Sequence, residues 1–116
     1  MPRLNSTTVP RTPSLKEIDE IAHRIAEKYH PVKIILFGSY ASGTPKSDSD
    51  VDLLVIMDIN KSSFDIAVEI SLSLKHTFPI DIVVKTPQEI AKRLELGDLF
   101  ITDIVRNGRV LYEQTG

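Results

Sequence analysis

The sequence predicts an α+β domain with an α/β-like core, in which helices pack on a small mixed β-sheet. Three observations carry this. Helical and strand patterns alternate in the order α-β-α-β-α-β-α-α-β, which favours a sheet covered by helices. The run Val51–Met57 is continuously apolar, as in a strand buried on both faces. The 22 residues between Met57 and Ile80 leave room for a helical crossover, which makes the flanking strands parallel.

Taken in order, residues 1–13 carry three prolines and small polar residues, so a flexible tail is expected there, ahead of one domain over 14–116. Ser14 and Glu17 form an S-x-x-E capping box. Leu15, Ile18, Ile21, Ala22, Ile25, Ala26 and Tyr29 then recur at helical spacing, and Pro31 ends the helix. Val32–Phe37 reads as a short strand, Gly38–Gly43 as a turn with a short helical piece, and Thr44–Ser49 as a loop. Val51–Met57 is the buried strand, Ser62–His76 a helix and Ile80–Lys85 a further strand. Thr86, Pro87 and Glu89 mark a capped helix start with proline at its first position. Gly97-Asp98 breaks that helix, Asp98 caps another through Arg106, Asn107-Gly108 closes it, and Arg109–Tyr112 is the last strand.

Composition narrows the class. The chain has 116 residues, 41% hydrophobic and 26% charged, which suits one soluble domain with one core. No apolar run approaches the roughly 20 residues that span a bilayer, and the N-terminus lacks the apolar stretch of a signal peptide. No membrane association is expected. Cysteine is absent, which excludes disulfides and thiolate metal sites and makes the cytoplasm the simplest location. The net charge is −2 and the pI about 5.9, with basic residues scattered, so nucleic acid is disfavoured as a direct partner.

The informative stretch is "ILFGSYASGTPKSDSDVDLLVI". Aspartate is a poor strand residue, yet Asp50 and Asp52 stand at a strand entrance, two apart and therefore expected on one side. Parallel pairing brings Asp81, at the start of the next strand, close to them. If Val32–Phe37 pairs antiparallel with Val51–Met57, then Gly38-Ser39 joins the same edge. Each close carboxylate pair costs about 1–4 kcal/mol, which a hard cation with oxygen ligands offsets. Gly38 lets a phosphate approach the backbone, the N–H groups that follow favour an anion, and Ser39 adds a hydroxyl. Metal on one side and phosphate cradle on the other describe a nucleoside triphosphate site, where two metals can clamp an in-line displacement.

G-S, ten residues, D-x-D and a later strand aspartate resemble the minimal nucleotidyltransferase (MNT) domain of the DNA polymerase beta-like superfamily. The matching residues are Gly38-Ser39, Asp50-Val51-Asp52 and Asp81, and the likeness covers about residues 14–113, including "RNGRVLYE". The resemblance implies a polymerase beta-like palm fold. It implies that Asp50 and Asp52 bind two Mg²⁺, that Asp81 completes the metal site and helps deprotonate the acceptor hydroxyl, and that Gly38 and Ser39 hold the β- and γ-phosphates of ATP. Many relatives carry a basic residue where this chain has Ser42; Lys46 is a candidate substitute.

The implied activity is Mg²⁺-dependent transfer of a nucleotidyl group, AMP from ATP, to a hydroxyl acceptor. Minimal domains of this kind accompany a small helical HEPN protein as antitoxin to a ribonuclease toxin, which suggests a partner tyrosine as acceptor. Two other readings stay open: a binding module that neutralises its partner sterically, and a nucleotide or metal sensor.

Other residues have plainer readings. "DSDVD" lacks the glycine and glutamate of a calcium loop. Asp48 reads as a loop cap. Tyr40 either stacks on a base or packs against the short helix. His23 and His30 read as solvated helix residues, and His76 as a helix-end dipole contact. Leu94, Leu96, Leu99, Phe100, Ile101, Ile104 and Val105 read as core, with a partner surface or an oligomer contact left open for some.

Overall fold

The computed structural model describes residues 12–46, 49–74 and 78–115. The expected tail over 1–13 falls almost wholly outside them, as do Asp48 and His76.

Helix α1 (Leu15–Tyr29) begins where the sequence places its capping box. The Glu17 N–H donates to Ser14 Oγ at 3.2 Å, and the Ser14 N–H donates to Glu17 Oε1 at 2.9 Å. The helix ends as His30 turns left-handed (φ 49°) ahead of Pro31. Strand β1 (Lys33–Phe37) leads through Gly38 into a four-residue helix, α2 (Ser39–Ser42). Strand β2 (Val51–Ile56) and strand β3 (Ile80–Lys85) flank α3 (Ser63–Ser73). Thr86 and Glu89 form a second reciprocal capping box at the start of α4 (Pro87–Glu95). Asp98 caps α5 (Leu99–Asn107) by accepting the Ile101 N–H at 3.0 Å, and an Arg93 contact at 2.8 Å holds its other oxygen. Strand β4 (Arg109–Glu113) follows.

The four strands form one sheet in the order β3-β2-β1-β4. β2 and β3 are parallel, and β1 is antiparallel to both β2 and β4. One face packs Ile34, Leu36, Leu53 and Val55 against Ile18, Ile25 and Ile70 of α1 and α3. The other packs Ile35, Leu54 and Ile56 against Ile90, Ile101 and Ile104 of α4 and α5. β2 therefore lies between two apolar layers, which is why its sequence runs apolar without alternation.

Two expectations need correction. Leu94, Leu96, Leu99, Phe100 and Val105 are exposed, and only Ile101 and Ile104 of that group are core. A helix laid on a sheet buries one stripe, and here that stripe is Ile90 on α4 with Ile101 and Ile104 on α5. Gly108 closes α5, but in ordinary backbone (φ −72°) rather than the left-handed form. Its reason is crowding. A Cβ there would collide with the Ile104 carbonyl oxygen and sit 2.5 Å from Ile35 Cγ2.

Gly108→Ala therefore forces α5 off β1. Urea unfolding should show a loss of about 1–3 kcal/mol, and an unchanged midpoint would mean the junction has slack.

Candidate active site

Register assembles the site. Phe37 lies opposite Asp52 across the antiparallel pair, and Asp52 lies opposite Asp81 across the parallel pair. Strand neighbours about 4.8 Å apart project to the same face, so Asp52 and Asp81 share a face with Phe37. That is the face covered by α4 and α5. Asp50 precedes β2 and is exposed. It stands one residue ahead of the first β2 pairing, Val51 with Ile80. Its charge still reaches Asp52.

Asp52 is half-buried. Burial first, then the charges of Asp81 and Asp50, push its carboxyl up to about 6. Three acids crowd one edge and no cation among the described residues pairs with Asp52. Gly38 explains how the carboxylate fits there. Its φ is 78°, and a Cβ at Gly38 would fall on Asp52 Oδ2. Glycine is required on both counts. The space it leaves lets the turn lie over the acid.

Among the described residues no three acidic or imidazole groups are already gathered into a metal cage. The donor set nonetheless fits magnesium. That ion takes one or two carboxylates and fills its shell with water and phosphate oxygens, and the raised Asp52 carboxyl marks a site short of positive charge. Asp50, Asp52 and Asp81 are the residues that could hold it.

Ser39 opens α2, half-buried, with Gly38 as its cap. The first N–H groups of a helical turn have no partner inside it, which suits an anion beside Gly38. Tyr40 is buried in the core, so it packs rather than stacks on a base. The Ser42 hydroxyl donates to the Ser39 carbonyl at 3.1 Å and meets Thr44 Oγ1 at 3.0 Å. It holds its own turn together. His23 is exposed and contacts the Asp19 carbonyl, and His30 caps α1; neither joins the site.

Beside Gly38 a cavity of ≈ 390 Å³ opens between α2 and α5, lined by Phe37, Gly38, Ala41, Ser42, Asp103 and Asn107 with Gly108. Asp103 and Asn107 carried no signal in the sequence beyond their four-residue spacing on a helix. Their relation to Gly38 depends on how α5 docks. A larger hollow of ≈ 530 Å³, lined by Glu89, Lys92, Arg93, Leu96 and Asp98, includes none of the predicted site residues.

Comparison with known proteins gives the family and the fold. Residues 18–111 match the family described as "Nucleotidyltransferase domain". The chain is 34% identical over 101 residues to "Putative protein adenylyltransferase MJ0604" of Methanocaldococcus jannaschii, covering 84% of this chain and 96% of that one. Among solved structures it resembles a "putative nucleotidyltransferase from Sulfolobus solfataricus" (TM-score 0.57, 22% identity, 86% of this chain and 80% of that one). It also resembles a chain of a toxin-antitoxin crystallised with AMP-PNP (TM-score 0.54, 20% identity, 84% and 74% covered). A third is a chain of the toxin-antitoxin MntA-HpeT (TM-score 0.52, 19% identity, 89% and 76% covered). At these identities the solved structures attest the fold.

Because Asp52 titrates above an ordinary carboxyl, the folded state holds its proton where the unfolded chain has lost it. Stability falls as pH rises from about 4 to about 6. Asp52→Asn should therefore melt about 4 °C or more above the parent at pH 7.5 without divalent ions, and the gap should close by pH 4. Equal melting temperatures at pH 7.5 would mean the acids do not strain the fold.

Proposed function

Because the chain belongs to the nucleotidyltransferase domain family, we propose that it transfers AMP from ATP to a hydroxyl acceptor with the help of magnesium. The observation that carries this is the Asp52–Asp81 pair on one face beneath Gly38. In this reading Gly38 and Ser39 hold the β- and γ-phosphates, and Asp50, Asp52 and Asp81 hold two magnesium ions. Magnesium, when bound there, supplies charge neutralisation for the entering and leaving oxygens. The acceptor oxygen bonds to the α-phosphorus, the bond from that phosphorus to the bridging oxygen breaks, and pyrophosphate leaves. Asp81, exposed at the strand entrance, takes the hydroxyl proton.

The acceptor we propose is a tyrosine of a small helical HEPN-type toxin, which this chain would neutralise as antitoxin in the cytoplasm. Two of the structural relatives belong to toxin-antitoxin complexes, one crystallised with AMP-PNP, and the cysteine-free composition suits a reducing compartment. No helix among the described residues is long and apolar enough to cross a membrane. A second reading, steric neutralisation without transfer, draws support from the exposed Leu72, Leu96 and Leu99. Catalysis accounts for the acidic cluster; steric binding leaves its repulsion unexplained.

Incubation with labelled ATP, Mg²⁺ and the partner should label the partner. Asp50→Ala/Asp52→Ala should cut labelling at least about 100-fold while complex formation survives; neutralisation that persists in this variant would favour the steric reading. Millimolar Mg²⁺ and ATP should also raise the melting temperature, by the equivalent of about 2.7 kcal/mol at a hundredfold excess over Kd. An unmoved midpoint would count against transferase and nucleotide sensor alike.

A further inference from the structure

We propose that the cavity between α2 and α5 receives the nucleoside half of the substrate, and that Asn107, oriented by Asp103, selects adenine over guanine. This rests on the nucleotidyltransferase reading and extends it to residues outside the acidic cluster.

Position comes first. The cavity shares Gly38 with the turn proposed to hold phosphates, and Phe37 forms part of its wall. Phe37 is the register neighbour of Asp52, so a nucleotide whose phosphates lie at Gly38 has this hollow within reach. Its ≈ 390 Å³ falls in the range of about 300–1,000 Å³ typical of small-ligand sites.

The lining residues Phe37, Asp103 and Asn107, with Phe100 behind Phe37, then supply recognition. Phe100, Asp103 and Asn107 recur at i, i+3 and i+7 along one side of α5, while Ile101 and Ile104 face the sheet. Phe100 stands edge-on against Phe37, with ring centroids 5.6 Å apart and planes at 88°. That contact holds an aromatic wall against which a base can stack. The Asn107 Nδ2 donates to Asp103 Oδ1 at 2.7 Å. A carboxylate only accepts, so the amide must turn its NH₂ toward Asp103, which fixes the side-chain flip. One N–H and the carbonyl oxygen of Asn107 remain for a ligand. This donor–acceptor pair matches adenine, whose N7 accepts and whose N6 amino group donates. On the same edge guanine offers N7 and O6, both acceptors, and would set O6 against the Asn107 carbonyl.

The test measures binding of non-hydrolysable ATP and GTP analogues and of inorganic tripolyphosphate, each with Mg²⁺, to the full chain. The parent should prefer the ATP analogue by about tenfold or more. In Asn107→Ala the preference should fall to about twofold or less while tripolyphosphate affinity holds. Asp103→Ala, which releases the amide, should weaken the preference without removing phosphate binding. A parent that binds both analogues equally, or an Asn107→Ala variant that keeps the full preference, overturns this proposal and leaves the nucleotidyltransferase reading standing. A parent that binds neither analogue nor tripolyphosphate overturns both.

Discussion

The placing of Asp52, half-buried and with the charges of Asp81 and Asp50 beside it, is the constraint around which the rest of this structure is arranged. It exists because of topology. A parallel β2–β3 pair puts both strand entrances at one end of the sheet, and antiparallel β1 delivers its exit, Gly38, to that same end. An acid whose carboxyl is driven up to about 6 is an unfavourable thing for a small domain to keep. The offset comes from β2 itself, where Leu53, Leu54 and Val55 are fully buried between two helical layers. Burying such side chains contributes roughly 1.5–3 kcal/mol each, enough to hold a strand whose first residues repel their neighbours. A cation would relieve the repulsion, so the feature that weakens the fold would strengthen cation binding.

Two glycines then set how closely the pieces approach. Gly38 has no side chain to collide with Asp52, and Gly108 has none to hold α5 away from Ile35. One brings the turn down on the acid, and the other brings the last turn of α5 down on β1. The cavity and the acidic cluster share a wall for that reason. Ser42 does not supply the positive charge that a phosphate tail favours, and its hydroxyl is committed to Ser39 and Thr44. In the proposed nucleotide reading, charge for the phosphates would come from magnesium or from outside α2.

Much of this was legible in the sequence because local signals and global fold agree. Ser14, Thr86 and Asp98 each cap the helix that they were expected to start, since a side chain that satisfies an orphan N–H acts within three residues. β3 spans Ile80–Lys85 as expected, and the spacing of Gly38-Ser39, Asp50, Asp52 and Asp81 announced one edge. What could not be read depends on docking rather than on pattern. Whether Leu96, Leu99 and Phe100 are core or surface turns on which stripe of α4 and α5 is laid on the sheet. Asp103 and Asn107 look like ordinary surface residues until α5 is laid against β1.

The open side of the site bears on how transfer could compete with hydrolysis. Asp50 and Asp81 are exposed, so water reaches the edge where an α-phosphate would sit. A transferase gains by excluding water once its acceptor is in place. Phe100, 53% exposed, touches Phe37 next to Asp52, and Leu99, 85% exposed, precedes it. An acceptor protein seated on that apolar turn would cover the same face on which the acids open. Cover and acceptor would then arrive together.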